Sequence, residues 1–240
     1  DQVRANVAVA DRAVVGAPVV HYIVGGLEGL SRTCCLRSRM RWRLLLAMAA
    51  TSVTGLKSVE LFQKMGIDCD ELINKGRRLI LNAGDYEVVL AKAADVITYV
   101  EHGVCDIGIV GKDTIVENGK SFYEMMDLNL GKCDFALATQ KGVDFYDGFN
   151  TKRIATKYPN ITKAYFEGKG MDIKIIKIEG SVELAPLLNL ADGIVDIVET
   201  GTTLKENGLE VKEKIMPVSA RVIVNMASMK LRREEIDKFL

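Results

Sequence analysis

One stretch, GIVDIVETGTTLKENG from Gly193 to Gly208, runs a strand straight into a helix and so restricts the folds open to this chain. Ile194, Val195, Ile197 and Val198 form a short apolar run of the kind that becomes a buried strand. The run carries one acid, Asp196, and ends in a second, Glu199. It then passes through Thr200, Gly201, Thr202 and Thr203 into a helical pattern beginning near Leu204. Such an exit makes an anion cradle: first-turn amides lack intrahelical partners, the helix dipole adds partial positive charge, and Gly lets the backbone approach closely. The threonine hydroxyls can donate to the same anion. Glu199 and Thr200 can also serve simply as a helix cap. Asp196 argues against that alone, because a carboxylate in mid-strand is expensive to desolvate without a partner. Two acids beside an anion cradle suit the hydroxyls of a sugar, or a hydrated Mg²⁺, and together describe a site for a phosphorylated ribose.

The same strand-to-helix alternation runs through most of the chain. Strands are expected at Trp42–Met48, Arg78–Leu81, Glu87–Leu90, Cys105–Val110, Lys132–Thr139, Arg153–Thr156, around Ile173–Ile178, and at Val211–Met216 and Arg221–Asn225. Between them, Leu56, Val59, Phe62 and Met65 lie at helical spacing before Gly66. Asp95 reads as the cap of a helix stopping at Gly103, and Pro159 starts one ending near Gly170. Ser181 reads as the cap of a helix with Glu183 in its first turn, and an amphipathic helix is expected from Leu231. This order predicts an α/β fold with mainly parallel sheets, in which ligands bind beyond the carboxyl ends of strands. Three strand exits are then candidates to face one cleft: Gly111-Lys112-Asp113, Gly180-Ser181-Val182-Glu183 and Glu199-Thr200-Gly201.

The bulk properties exclude several classes. Lys plus Arg equals Asp plus Glu, 32 each, so no global field draws the chain to nucleic acid or an anionic membrane. The five cysteines (Cys34, Cys35, Cys69, Cys105, Cys133) form no C-x-x-C pair, which points to a reducing cytoplasm rather than a disulfide scaffold or zinc site. With only His21 and His102, a multi-histidine metal centre is excluded. No apolar run approaches the ~18 residues of a membrane span. Arg37 to Thr51 imitates a signal peptide but lies too far along the chain and reads as a strand after basic residues. Residues 1–41 lack a clean period and stand as an atypical extension, with Met40 where an ordinary version of the chain would start.

Two further motifs bear on a ligand. DIGIVGKDT, Asp106 to Thr114, fails as a P-loop because Asp113 follows Lys112, but a strand exit with Gly then Lys suits a negatively charged ligand as readily as it gives an exposed lysine. EGSVELAP, Glu179 to Pro186, places Gly-Ser at a helix start, with capping the default role of Glu183. Lys152, Arg153, Lys157 and Lys163 read as a solvated face.

The runs RIATKYPNITKAYFEGKG, IEGSVELAP and ADGIVDIVETGTTLKENGL, preceded by ADVITYVEHGVCDIGIVGKD, resemble the short-form ATP phosphoribosyltransferases of histidine biosynthesis. The resemblance spans roughly Trp42 to Leu240. It implies a two-lobed fold of the type II periplasmic-binding-protein kind: lobe I at 42–130, lobe II at 131–214 and a return to lobe I at 215–240. The implied reaction is that of a glycosyltransferase joining ATP and phosphoribosyl pyrophosphate to give N1-(phosphoribosyl)-ATP and pyrophosphate, with Mg²⁺. It also implies a homodimer assembling with a regulatory subunit similar to histidyl-tRNA synthetase. The family's ribose-phosphate loop falls on Asp196 to Thr203, with Asp196 and Glu199 toward the ribose hydroxyls or Mg²⁺ and Thr200, Gly201, Thr202 and Thr203 around the 5-phosphate. Lys92, Gly111, Lys112, Asp113 and Glu183 are candidates for the ATP side. Two departures stand out. The family's early Lys-Gly-Arg is ATSVT here, Ala50 to Thr54, and the Arg expected before ADVITY is replaced by Lys92 or Ala93, which cannot bind phosphate bidentately. A two-lobed solute-binding protein and an inactive nucleotide-binding homologue are the alternative readings.

Overall fold

The computed structural model describes residues 43–49, 53–119, 121–148 and 150–240. The expectations for residues 1–41, for Trp42 and for Ala50 to Ser52 lie outside the described residues.

Two sheets organise the chain. The first contains β1 (Leu44–Ala49), β2 (Ile80–Ala83), β3 (Tyr86–Ala91), β4 (Ile107–Gly111), β5 (Tyr123–Asp127) and β11 (Ala220–Val224), in the order β2-β3-β1-β4-β11-β5. The second contains β6 (Cys133–Gln140), β7 (Lys152–Thr156), β8 (Ile173–Lys177), β9 (Gly193–Val198) and β10 (Leu209–Val218), in the order β10-β6-β9-β7-β8. In the first sheet β3, β1, β4 and β5 run one way against β2 and β11; in the second only β6 opposes the others. The sheets are therefore mainly parallel in strand direction, one to each lobe. β10 continues to Val218, paired with Cys133, so this strand runs across the 214/215 boundary drawn from the sequence.

Strand alternation decides which residues meet which helices. Leu46 and Met48 of β1 face α1 (Val53–Lys64) and α9 (Arg233–Phe239), packing with Phe62, Ile236 and Phe239. Ala47, one residue out of phase, faces α3 (Ala93–Glu101) with Val96, Ile97 and Val100. That helix lies so close to β4 that a Cβ on Gly108 would stand 2.8 Å from Val100 Cγ2. In the second sheet Phe135, Leu137, Ile154 and Val195 pack with Ile161 and Phe166 of α5 (Pro159–Gly168). The opposite face carries Ala136, Ala138 and Ala155, small residues beneath α6 (Leu184–Leu187) and α7 (Thr202–Glu206).

The structure adds to and corrects the expected elements. β5 was not expected; most of its residues are exposed, so it offers no alternation to read. Asp95 lies in the first turn of α3, with Lys92 at the cap position. The helix expected after Ser181 shrinks to the single turn of α6, with Glu183 at its cap. The C-terminal helix begins earlier and is two: α8 (Met226–Leu231), capped by Asn225 through bonds from the amides of Ala227 and Ser228, and then α9. The remaining helices, α2 (Asp70–Ile73) and α4 (Lys112–Asn118), follow a loop and β4 respectively. Among the described residues no helix is long and apolar enough to cross a membrane.

Candidate active site

The exit of β9 is built as the sequence suggested, with one refinement. Gly201 takes the cap position of α7 in the left-handed region, φ 72°. It has no side chain to fill that role, which leaves Glu199 and Thr200 outside the helix. The turn brings Thr200 Oγ1 and Thr202 Oγ1 within 3.0 Å of each other, and the Thr202 amide donates to Thr200 Oγ1 at 3.4 Å. A cavity of about 390 Å³ opens beside it, lined in part by Val198, Glu199, Thr200, Gly201, Lys205 and Lys214.

Asp196 occupies the β9 face shared with Ile194 and Val198, opposite Ala136 of β6, where the alanine leaves room for it. Burial pushes its carboxyl up to about 6; the Ile197 amide opposes the shift, Glu183 and Asp113 add to it, and Lys157 reduces it. Glu183 thus acts on Asp196 through its charge, and Lys157 acts on this acid rather than belonging only to a solvated face.

Asp113 comes from the other lobe, in the first turn of α4. A Cβ on Gly111 would collide with Asp113 Oδ1, so the glycine is what allows the carboxylate to lie over the strand exit. Asp113 Oδ2 accepts from Thr114 Oγ1 at 3.2 Å and from Tyr158 Oη at 3.4 Å. Tyr158 is held by its backbone: its amide donates to Thr156 Oγ1 at 2.9 Å and its carbonyl accepts from Thr162 Oγ1 at 2.8 Å. Its ring meets Phe135 edge-on at 4.8 Å. Burial, then the charges of Asp113 and Asp196, push the Tyr158 hydroxyl far above its ordinary range, so it remains a donor. Cys133, at the start of β6, is pushed up to about 11 by burial and by Asp113, Glu199 and Asp134, and stays a thiol.

Asp113 therefore touches Tyr158, the charges of Asp113 and Asp196 act on the Tyr158 hydroxyl, those of Asp113 and Glu199 act on Cys133, and that of Glu183 acts on Asp196. The sequence reading missed Tyr158 and Cys133 as site residues; the one available signal was that Tyr158 sits between a strand end and Pro159. Lys112 turns away, with Nζ 2.5 Å from Glu124 Oε2 on β5. Lys92 is exposed at the end of β3, and no described contact joins it to this group. Among the described residues no group of three or more His, Cys, Asp or Glu is arranged to hold a metal ion. Lys157 supplies the positive charge that acts on Asp196.

Known proteins support the same reading. A family model described as HisG: ATP phosphoribosyltransferase matches residues 92–240. The chain is 60% identical to the ATP phosphoribosyltransferase of Clostridium kluyveri over 186 residues, covering 77% of this chain and 85% of that protein. It is 57% identical to the enzyme of the same name from Clostridium novyi over 188 residues, covering 77% and 89%. A solved structure, the ATP phosphoribosyl transferase (HisG:HisZ) complex from Thermotoga maritima, superposes with a TM-score of 0.70 at 36% identity, covering 82% of this chain and 94% of that one. With its two mainly parallel sheets and the acid-Thr-Gly-Thr-Thr strand exit in place, the chain belongs to the ATP phosphoribosyltransferase family.

Proposed function

We propose that this chain transfers the phosphoribosyl group of phosphoribosyl pyrophosphate to N1 of ATP, releasing pyrophosphate, as the first step of histidine biosynthesis. The observation that carries the reading is the β9 exit, Asp196 to Thr203, set opposite Asp113 of the other lobe across Tyr158. Lobe I is taken as 42–130 with the return at 215–240, and lobe II as 131–214.

In this reaction the C1–oxygen bond to pyrophosphate breaks as adenine N1 bonds to C1, and the bonding pair leaves with pyrophosphate. Little covalent work falls to the protein; positioning and electrostatics supply most of the acceleration. Thr200, Gly201, Thr202 and Thr203 cradle the 5-phosphate, and Asp196 and Glu199 hold the ribose hydroxyls. Gly111, Asp113, Glu183 and Lys92 face ATP, with Lys112 joining them on release from Glu124.

Mg²⁺ fits this donor set. The acids are hard oxygen ligands without a closed cage, and Mg²⁺ characteristically binds through one or two carboxylates plus substrate phosphates and water. Asp196 and Glu199 are the carboxylates that would hold it. Bound there, the ion would offset charge on the departing pyrophosphate.

Among the described residues Cys69 and Cys133 are free thiols, which supports a cytoplasmic setting. The Thermotoga maritima neighbour was solved as a HisG:HisZ complex, which supports assembly of this chain with a regulatory subunit similar to histidyl-tRNA synthetase; a homodimer of the chain is part of the same proposal. The test is pyrophosphate release from ATP and phosphoribosyl pyrophosphate, measured with and without such a subunit. Turnover with the subunit supports the reading. Ligand binding without turnover in its presence would replace it with the inactive homologue.

A further inference from the structure

Helices α4 and α5 belong to different lobes, yet one completes the other. α5 opens with Pro159, which has no amide hydrogen, so its first donors are Asn160 and Ile161; Tyr158, at the cap position, supplies no side-chain bond. The acceptor comes from across the gap. The Asn160 amide lies 3.1 Å from both Glu117 oxygens, and the Ile161 amide donates to Glu117 Oε2 at 3.1 Å. Asn160 Nδ2 donates back to the Glu117 carbonyl at 3.0 Å. A carboxylate at the positive end of a helix is well placed both as acceptor and as charge.

Glu117 follows Asp113 by one helical turn, so both acids project from the same side of α4. Asp113 meets the Tyr158 hydroxyl, and Glu117 meets the two amides that follow Pro159. The side of α4 that carries the ATP-side residue is thus clamped to the segment that presents Tyr158 beside Asp196. We propose that Glu117 is a positioning residue for phosphoribosyl transfer: its cross-lobe cap sets the separation between Asp113 on one lobe and the Asp196–Thr203 loop on the other. Substrates held on opposite lobes react only when that separation brings N1 to C1. This rests on the cleft assignment above, and it concerns a residue outside the substrate contacts.

The test compares wild type with Glu117→Ala, Glu117→Gln and Glu117→Asp on the full chain with its regulatory subunit. Glu117→Ala should lower kcat about 10- to 100-fold, the penalty of displacing reacting groups by about an ångström. Affinity for phosphoribosyl pyrophosphate alone, measured by calorimetry, should stay within about twofold because the loop lies wholly on lobe II. Glu117→Gln retains an acceptor and should recover much of kcat; Glu117→Asp, with a shorter reach, should not. Small-angle scattering of the substrate-free chains should show a changed lobe separation in Glu117→Ala. Unchanged scattering, or unchanged kcat in a folded variant, overturns the proposal, as does a parallel loss of substrate affinity. Should Glu117→Ala fail to fold, Glu117→Asp carries both readouts. A wild type without turnover would instead sink the catalytic assignment, leaving the scattering comparison to decide the clamp.

Discussion

Tyr158 Oη reaches Asp113 Oδ2 at 3.4 Å, joining the start of α5 on one lobe to the first turn of α4 on the other. The hydroxyl is a permanent donor there, since burial and two nearby carboxylates hold its titration far above neutral pH. Tyr158→Phe removes that donor and keeps the edge-on packing against Phe135. A single long hydrogen bond contributes about 0.5–1.5 kcal/mol, so stability should fall by no more than that. Activity should fall further, by about tenfold in kcat/KM, because the contact orders the gap proposed above for the two substrates. Calorimetric melting and steady-state kinetics on one preparation check this; equal losses in both would make Tyr158 an ordinary packing residue.

Asp196 gives a prediction whose sign depends on pH. Burial pushes its folded carboxyl up to about 6, above the ordinary aspartate value of 3.8. Between those values the folded state binds more protons than the unfolded one, so stability declines as pH rises through the window. Above it, the ionised acid costs the substrate-free protein about 2–3 kcal/mol. Asp196→Asn should therefore melt higher than wild type near pH 8 and about equally near pH 4. Affinity for phosphoribosyl pyrophosphate should drop about tenfold or more, the usual loss when a buried charged hydrogen-bonding partner is removed. A melting difference that does not change with pH would remove the desolvated carboxylate from the account.

Asp106 is fully buried and serves the fold. Its Oδ2 takes Arg232 Nη1 at 2.9 Å and the Leu45 amide at 3.0 Å, and its Oδ1 takes Ser228 Oγ at 2.7 Å. These bonds fasten β1, the approach to β4 and the C-terminal helices into one unit. Asp106→Ala leaves Arg232 without this carboxylate and should cost about 3–5 kcal/mol. Urea unfolding monitored by circular dichroism checks the loss. The remaining folded fraction should bind phosphoribosyl pyrophosphate normally, because the lobe II loop takes no part in these bonds.

The legible and illegible parts of the molecule differ in the distance over which their causes act. Strand and helix order followed from local periodicity, and the β9 exit from Asp196, Glu199 and the Thr-Gly-Thr-Thr run, all within a few residues. Tyr158 and Glu117 act on partners 45 and 43 residues away, and Arg232 reaches Asp106 across 126. No local pattern encodes those pairings. Lys112 illustrates the converse: its motif suggested a ligand, but Glu124 lies on β5, a strand too exposed to leave a hydrophobic signature. Capping at Ser181 failed for a related reason, since a single turn is set by tertiary contact more than by cap preference.

Gly201 separates backbone conformation from side-chain space. Its φ of 72° lies in the left-handed region, while a Cβ built there would meet only Val198 Cγ1, at an ordinary 3.7 Å. The penalty for Gly201→Ala is therefore conformational, about 1–2 kcal/mol, and falls on a turn whose purpose is to converge Thr200 Oγ1 and Thr202 Oγ1. If the turn relaxes to relieve that strain, the hydroxyls separate and the cradle proposed for the 5-phosphate opens, so affinity for phosphoribosyl pyrophosphate should fall more than stability does. Gly201→Asn adds the same Cβ, with a carboxamide beyond it, but tolerates the left-handed region better, and should recover part of the affinity. Calorimetric titration of the two variants decides the matter: equal affinities for Ala and Asn would mean that side-chain volume, and not backbone conformation, governs binding at this turn.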